Sequence, residues 1–255
     1  MDLSYLRELT GSHCKTVTEF LFLELGVLKL RHILTRRRLM YHHHIITRND
    51  TKTILKIYRN QKVSSIKGDW YKTILKDFEF IGEELSDEKV SSYSKIEYSK
   101  YVKTKVENAA FKIYIEEKEV HRKKLCDITY NTFRIQPFMN NKSFGKKEVK
   151  LMCLLRSKSY SAKMNFRKMF KNNLKCSFNC DNNETQSHIF EDCKPIQSKL
   201  ENQSIVKLEK IFGTIDEQCD IIRKLVEIDS VRKHMKDNLL PGGANARTLT
   251  VFMYL

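Results

Sequence analysis

Apolar residues recur every three to four positions over most of this chain, the period of helices that bury one face. Residues 17–44 read as a helical, strongly basic unit. Leu30, Ile33, Leu34, Arg38 and Tyr41 share its inner face, with Arg31, Arg36 and Arg37 available to solvent. A second helix is predicted over 51–63, packing through Ile54, Leu55, Tyr58 and Gln61. Asp69 stands at the N-cap of a third helix carrying Trp70, Ile74, Leu75 and Phe78, where a short acceptor side chain meets the free amides of the first turn. Residues 82–87 break the pattern. Val90, Tyr93 and Ile96 resume it, and Val102, Val106, Ala109, Ala110, Ile113 and Val120 extend it into a long amphipathic helix. Residues 126–145 predict an irregular connector around Gln136-Pro137-Phe138. Helical periodicity returns at 148–156, 165–170, 205–211 and 215–228, and Pro241-Gly242-Gly243 stops it. The expected fold class is mostly α.

Composition agrees. Only 3 Pro and 8 Gly occur in 255 residues, which suits long helices and a chain of one large or two modest domains. The stretch from Phe20 to Leu30 is the most apolar, but Glu24 inside it and Arg31 after it exclude a membrane span. Seven cysteines is an odd count, and no cationic leader with an apolar core opens the sequence. Reduced thiols in an intracellular compartment are therefore expected, without a disulfide framework.

The net charge of +16 is unevenly spread. Residues 29–76 hold thirteen Lys/Arg against two Asp, and residues 145–175 hold ten against one Glu. Mildly acidic stretches follow each block. Such alternation resembles a nucleic-acid footprint more than general solubility, although solvated lysine-rich faces would give the same counts.

One cluster names its own chemistry. Cys176-Ser-Phe-Asn-Cys180 and His188-x4-Cys193 are two ligand pairs separated by a polar, turn-forming run from Asp181 to Ser187. That arrangement grips one tetrahedral zinc ion, and a closed Cys3His set favours a structural role over a catalytic one. His42-His43-His44 is a weaker lure. Consecutive helical residues point about 100° apart, so the three cannot converge on one ion. One is expected to pack or hydrogen-bond and the others to sit on the surface. Trp70 is expected to anchor a core.

Several segments resemble, in order, the region downstream of the polymerase palm in LINE-type (non-long-terminal-repeat) retrotransposon reverse transcriptases. Leu23-Glu24-Leu25-Gly26-Val27-Leu28 followed by Arg36-Arg37-Arg38-Leu39-Met40-Tyr41 is similar to a Glu-x-Gly turn and basic helix of that family. Gly68-Asp69-Trp70, His121-Arg122-Lys123, Gln136-Pro137-Phe138, Leu154-Leu155-Arg156-Ser157 and Asn165-Phe166 resemble further landmarks. The Cys176/Cys180/His188/Cys193 cluster resembles the family's terminal zinc knuckle, with three residues rather than the commoner two between the first cysteines.

The resemblance implies a thumb-like and connector bundle, a small zinc-knuckle module and C-terminal helices. The implied regions are 1–82, 83–145, 146–200 and 201–255. It further implies RNA or DNA backbone contacts by Arg31, Arg36, Arg37, Arg38, Lys163, Arg167, Lys168, Lys171 and Lys175, beside one structural zinc. A polymerase needs paired palm carboxylates for two metal ions, and the sequence holds no Asp-Asp pair. No Pro-Asp nuclease signature occurs either. The expectation is a non-catalytic nucleic-acid-binding fragment, with no membrane or small-molecule partner. A zinc-stapled protein-interaction module and a remnant without selected function are the alternatives.

Overall fold

A computed structural model describes residues 3–12, 16–47, 52–64, 66, 68–120, 128–166, 170, 173–200 and 206–239. They are mostly helical, as the periodicity predicts, and no strand occurs among them. The elements are α1 (Leu3–Thr10), α2 (Thr18–Leu25), α3 (Leu30–Thr47), α4 (Lys52–Ser64), α5 (Trp70–Phe80), α6 (Asp87–Ser91), α7 (Lys95–Val120), α8 (Pro137–Asn140), α9 (Lys146–Arg156), α10 (Lys194–Gln197) and α11 (Ile215–Leu239). Among the described residues no helix is long and apolar enough to cross a membrane. The chain divides into two compact units. One comprises the described parts of Met1–Leu25, Lys118–Asn131 and Ile135–Leu255, the other those of Gly26–Glu117 and Thr132–Arg134.

The second unit is built from α3 to α7 around Leu39, Ile74, Phe78, Val90, Tyr98, Val102 and Val106. Asp69 occupies the N-cap of α5, but its side chain does not cap the helix. The carboxylate instead accepts from the Ile66 amide at 3.1 Å, closing the preceding turn. Gly82, at φ +70°, ends α5, and the Glu83 amide turns back to the Phe78 carbonyl at 3.0 Å. That left-handed C-cap is cheap only for glycine. Ser86 restarts the chain by accepting from the Lys89 amide at 3.2 Å. Ile96, expected inside, is 70% exposed, because the chain turns again between α6 and α7.

The face of α3 is a correction. Leu30, Leu34 and Tyr41 are 59%, 41% and 47% exposed, while His32, Thr35, Leu39, His42, His43 and Ile45 are buried. Each of these buried polar side chains has a partner, although His42 Nδ1 itself has none among the described residues. Thr35 donates to Asp77 at 2.9 Å, His32 meets the Tyr114 hydroxyl at 3.0 Å, and His43 Nε2 meets the Tyr93 carbonyl at 3.0 Å. Two of the three consecutive histidines are thus interior, and only His44 lies outside. Satisfied hydrogen bonds and ring stacking, such as His43 on Tyr98 with centroids 4.7 Å apart, offset the cost of burying imidazoles.

In the first unit, α2 is buried at Phe20, Leu21, Phe22, Leu23 and Glu24. Burying those four apolar side chains is worth roughly 1.5–3 kcal/mol each. Glu24 is held by the Tyr130 hydroxyl at 2.7 Å and by Arg156 at 2.9 Å. Arg156 lies between the rings of Phe138 and Phe212, 5.4 and 5.5 Å from their centroids. It also donates to the Ile211 carbonyl at 2.7 Å. The core continues through Leu151, Met152, Leu155, Tyr160, Phe190, Ile196, Ile222, Leu225 and Ile228 of α9, α10, α11 and the segments between them.

Candidate metal centre and basic faces

Residues 174–184 form a hairpin-like loop. The Glu184 amide donates to the Leu174 carbonyl at 2.8 Å and the Cys176 amide to the Asn182 carbonyl at 3.0 Å, around a single antiparallel bridge between Lys175 and Asn183. Between Cys176 and Cys180 the chain reverses with Asn179 at φ +59°, a conformation asparagine tolerates better than most residues. This left-handed residue accommodates the three-residue gap. The Phe178 amide points at the Cys176 sulfur, 3.5 Å away, and Phe178 is buried.

The second ligand pair sits on a π-helical turn, His188–Asp192. Thr185 Oγ1 accepts from the His188 amide at 2.9 Å and fixes the start of that turn. Cys193 then leads into α10, whose first turn contains Pro195. One donor atom from each of Cys176, Cys180, His188 and Cys193 lies within 4.8 Å of the others. The Cys176–Cys193 and Cys180–Cys193 sulfur separations are 3.9 and 3.7 Å. Tetrahedral coordination with zinc–sulfur bonds of about 2.3 Å places sulfurs about 3.8 Å apart. Both ring nitrogens of His188 are buried without a hydrogen-bond partner, a costly state unless one of them ligates. Burial pushes the Cys193 and Cys180 thiols upward, whereas a divalent cation at their centre stabilises the thiolates. The four residues fit a metal ion.

Residues outside the ligand set position the loop. The Glu184 carboxylate is fully buried and accepts from the Ser177 amide and hydroxyl at 3.0 and 2.6 Å. Its other oxygen meets Arg232 of α11 at 2.9 Å and Lys236 at 3.4 Å. Burial works to raise its pKa, but the Ser177 hydroxyl, Lys236 and Arg232 hold it at about 2. Arg232 further donates to the Tyr160 hydroxyl and to Ser161. In the sequence Glu184 falls in the polar run from Asp181 to Ser187, and Arg232 lies beyond the last predicted helical segment, 215–228. No local pattern marks them, because their partners are about fifty residues away.

The predicted phosphate contacts separate into distinct environments. Arg31 and Arg37 are exposed and Arg36 is half-buried. Arg31 lies 3.7 Å from Glu117. Arg38 is set apart: its Nε and Nη2 donate to the Asp77 carboxylate, both at 2.6 Å, and the pair fastens α3 to α5. Neither α3 nor α4 carries an acidic residue. Among the described residues, Arg36, Arg37, Lys56 and Arg59 have no acidic partner. In the other unit Lys163 donates to the Lys175 carbonyl at 2.7 Å, and Lys175 to the Asp181 carbonyl. Both brace the metal loop. Arg167, Lys168 and Lys171, like the His121-Arg122-Lys123 and Pro241-Gly242-Gly243 segments, lie outside the described residues. No protein-family model, curated protein or solved structure matches the chain.

Proposed function

We propose that this chain binds nucleic acid without catalysing a reaction, holding the phosphate backbone on the basic face of α3 and α4. Cys176, Cys180, His188 and Cys193 hold one structural zinc, which closes the 174–193 loop and supplies no open coordination position. In this reading the protein corresponds to the region beyond the palm of a LINE-type reverse transcriptase and works where thiols stay reduced. The carrying observation is the unbalanced positive charge of the two helices. Two neighbouring helices have no acid, and four of their cations have no acidic partner among the described residues. Electrostatic attraction that protein carboxylates do not consume is free to condense on phosphates.

The test is the salt dependence of binding to mixed-sequence RNA and DNA. With four or five cations engaged, log K should fall against log salt with a slope of about −3 to −4.5, by about 0.7–0.9 per phosphate neutralised. Arg36→Ala combined with Arg37→Ala should make that slope shallower by nearly two and leave the fold intact. Arg38 is left alone in this test because it pairs with Asp77. Binding that ignores salt, or no binding at low salt, would return the face to the protein-interaction alternative.

A further inference from the structure

Tyr41 is 47% exposed in the middle of α3, yet its ring is fixed. The Trp70 ring meets it edge-on with centroids 5.8 Å apart at 79°. His44, one turn further along α3, stacks at 6.2 Å and 24°. What remains of the Tyr41 ring faces water in a preset orientation. Looking back along the helix, Arg37, Leu34 and Leu30 fall four, seven and eleven residues away. All lie on the same exposed stripe, which with His44 is about 21 Å long at 1.5 Å per residue. An aromatic ring and two leucines in water, interleaved with an exposed arginine and flanked by Arg36, are a costly surface for a helix to display.

We infer that this stripe is a stacking platform for unpaired nucleotides, so that the preferred partner of the basic face is single-stranded nucleic acid rather than a duplex. The inference rests on the nucleic-acid reading above and narrows it. Phosphates alone satisfy Arg36 and Arg37 but leave Tyr41, Leu34 and Leu30 against a charged, hydrated backbone. A duplex keeps its base faces inside its own stack. An unpaired strand offers both chemistries at one spacing, phosphates for the arginines and base faces for the ring and the leucines. An acidic protein surface would pair the arginines equally well. The already ordered ring with cationic neighbours favours a flat π-partner, since ordering it costs nothing further on binding.

Trp70 is the only tryptophan in the chain and touches Tyr41, so the platform carries its own reporter. The full chain, loaded with metal, is titrated at low salt with a twelve-nucleotide single strand, a twelve-base-pair duplex and polyglutamate. The single strand should quench Trp70 fluorescence and bind at least about fivefold more tightly than the duplex. Tyr41→Leu, which keeps apolar bulk without a π-face, should weaken single-strand binding by about fivefold or more and leave duplex binding unchanged. Tyr41→Phe should bind as the parent does. Circular dichroism and melting of each variant establish that the fold is retained. Equal affinity for single strand and duplex, unaltered in Tyr41→Leu, would overturn the platform and leave the nucleic-acid reading standing. Polyglutamate competing as well as the single strand would overturn both, as would failure of either nucleic acid to bind.

Discussion

His32 shows how a polar residue becomes part of a helical core. Arg31 Nε donates to its Nε2 at 2.9 Å, so that nitrogen accepts and the proton sits on Nδ1. Nδ1 then donates to the Tyr114 hydroxyl at 3.0 Å, which also accepts from the Lys29 amide at 2.8 Å. The ring stacks on Phe80 with centroids 5.0 Å apart. Burial, with Arg31 and Lys29 close by, lowers its pKa to about 4. The unfolded chain takes up that proton near pH 6.5, so the stability contributed by neutral His32 is complete above about 6.5. It is lost as pH falls from there towards 4. The denaturation midpoint followed by Trp70 fluorescence should therefore be level above pH 7 and drop between 6.5 and 4. His32→Phe keeps the ring stack and has nothing to protonate, so its profile should be flatter in that window. An identical slope in parent and variant would place the pH sensitivity elsewhere.

At the scale of elements, the positions of the helices were legible, as were the buried faces of α5 and α7 through Ile74, Phe78, Val102, Val106 and Ala110. The face of α3 was not. α4, α5 and the break at Gly82 follow from apolar spacing and a glycine. In α3 the same reasoning picked Leu30, Leu34 and Tyr41, whereas the helix buries His32, Thr35, His42 and His43. Their partners, Tyr114, Asp77, Tyr58 and Tyr93, come from segments that no local period can identify. The Cys176, Cys180, His188 and Cys193 cluster was legible for the opposite reason, because cysteine and histidine at that spacing are themselves the signal.

α4 shows how far an element can depend on one such polar contact. Tyr58 is its only buried side chain among the described residues. Its hydroxyl donates to Asp87 at 2.7 Å and meets His42 Nε2 at 3.0 Å. Hydrogen bonds from His42, Tyr58 and Lys62 hold the Asp87 carboxyl well below the ordinary range. In Tyr58→Phe the ring stays among Trp70, Tyr71 and His42, and only the shared hydroxyl goes. That should cost about 1–3 kcal/mol, because the buried His42 imidazole and the partly buried Asp87 carboxylate each lose a partner. Amide exchange should quicken along α4 and stay slow in α5. Uniform protection across both helices would show that apolar contact alone holds α4.

At the scale of a whole unit, the metal loop and the C-terminal helix α11 meet in one ionic cluster, Glu184 with Arg232 and Lys236. Ser177 follows the ligand Cys176, Glu184 grips Ser177, and Arg232 of α11 grips Glu184. Whatever orders Ser177 therefore also orders the carboxylate that α11 needs, and by linkage each favours the other. In Arg232→Met, Glu184 stays buried, keeps its Ser177 hydrogen bonds and has Lys236, 3.4 Å away, as its remaining cation. Removing one partner of a buried ion pair costs up to about 3–5 kcal/mol, with Lys236 and Ser177 offsetting part of it here. A loop left less ordered should bind zinc about 10–100-fold more weakly. Urea denaturation with and without metal measures the first quantity, and competition with a chromophoric chelator measures the second. The parent should bind one zinc per chain. Adding Glu184→Gln to Arg232→Met removes the stranded charge and should recover part of the stability without recovering zinc affinity, because the amide holds the Ser177 amide and hydroxyl less firmly. If Arg232→Met loses stability while zinc affinity stays at the parental value, the network fastens α11 but does not orient the ligands. The coupling between metal loop and helix would then fall.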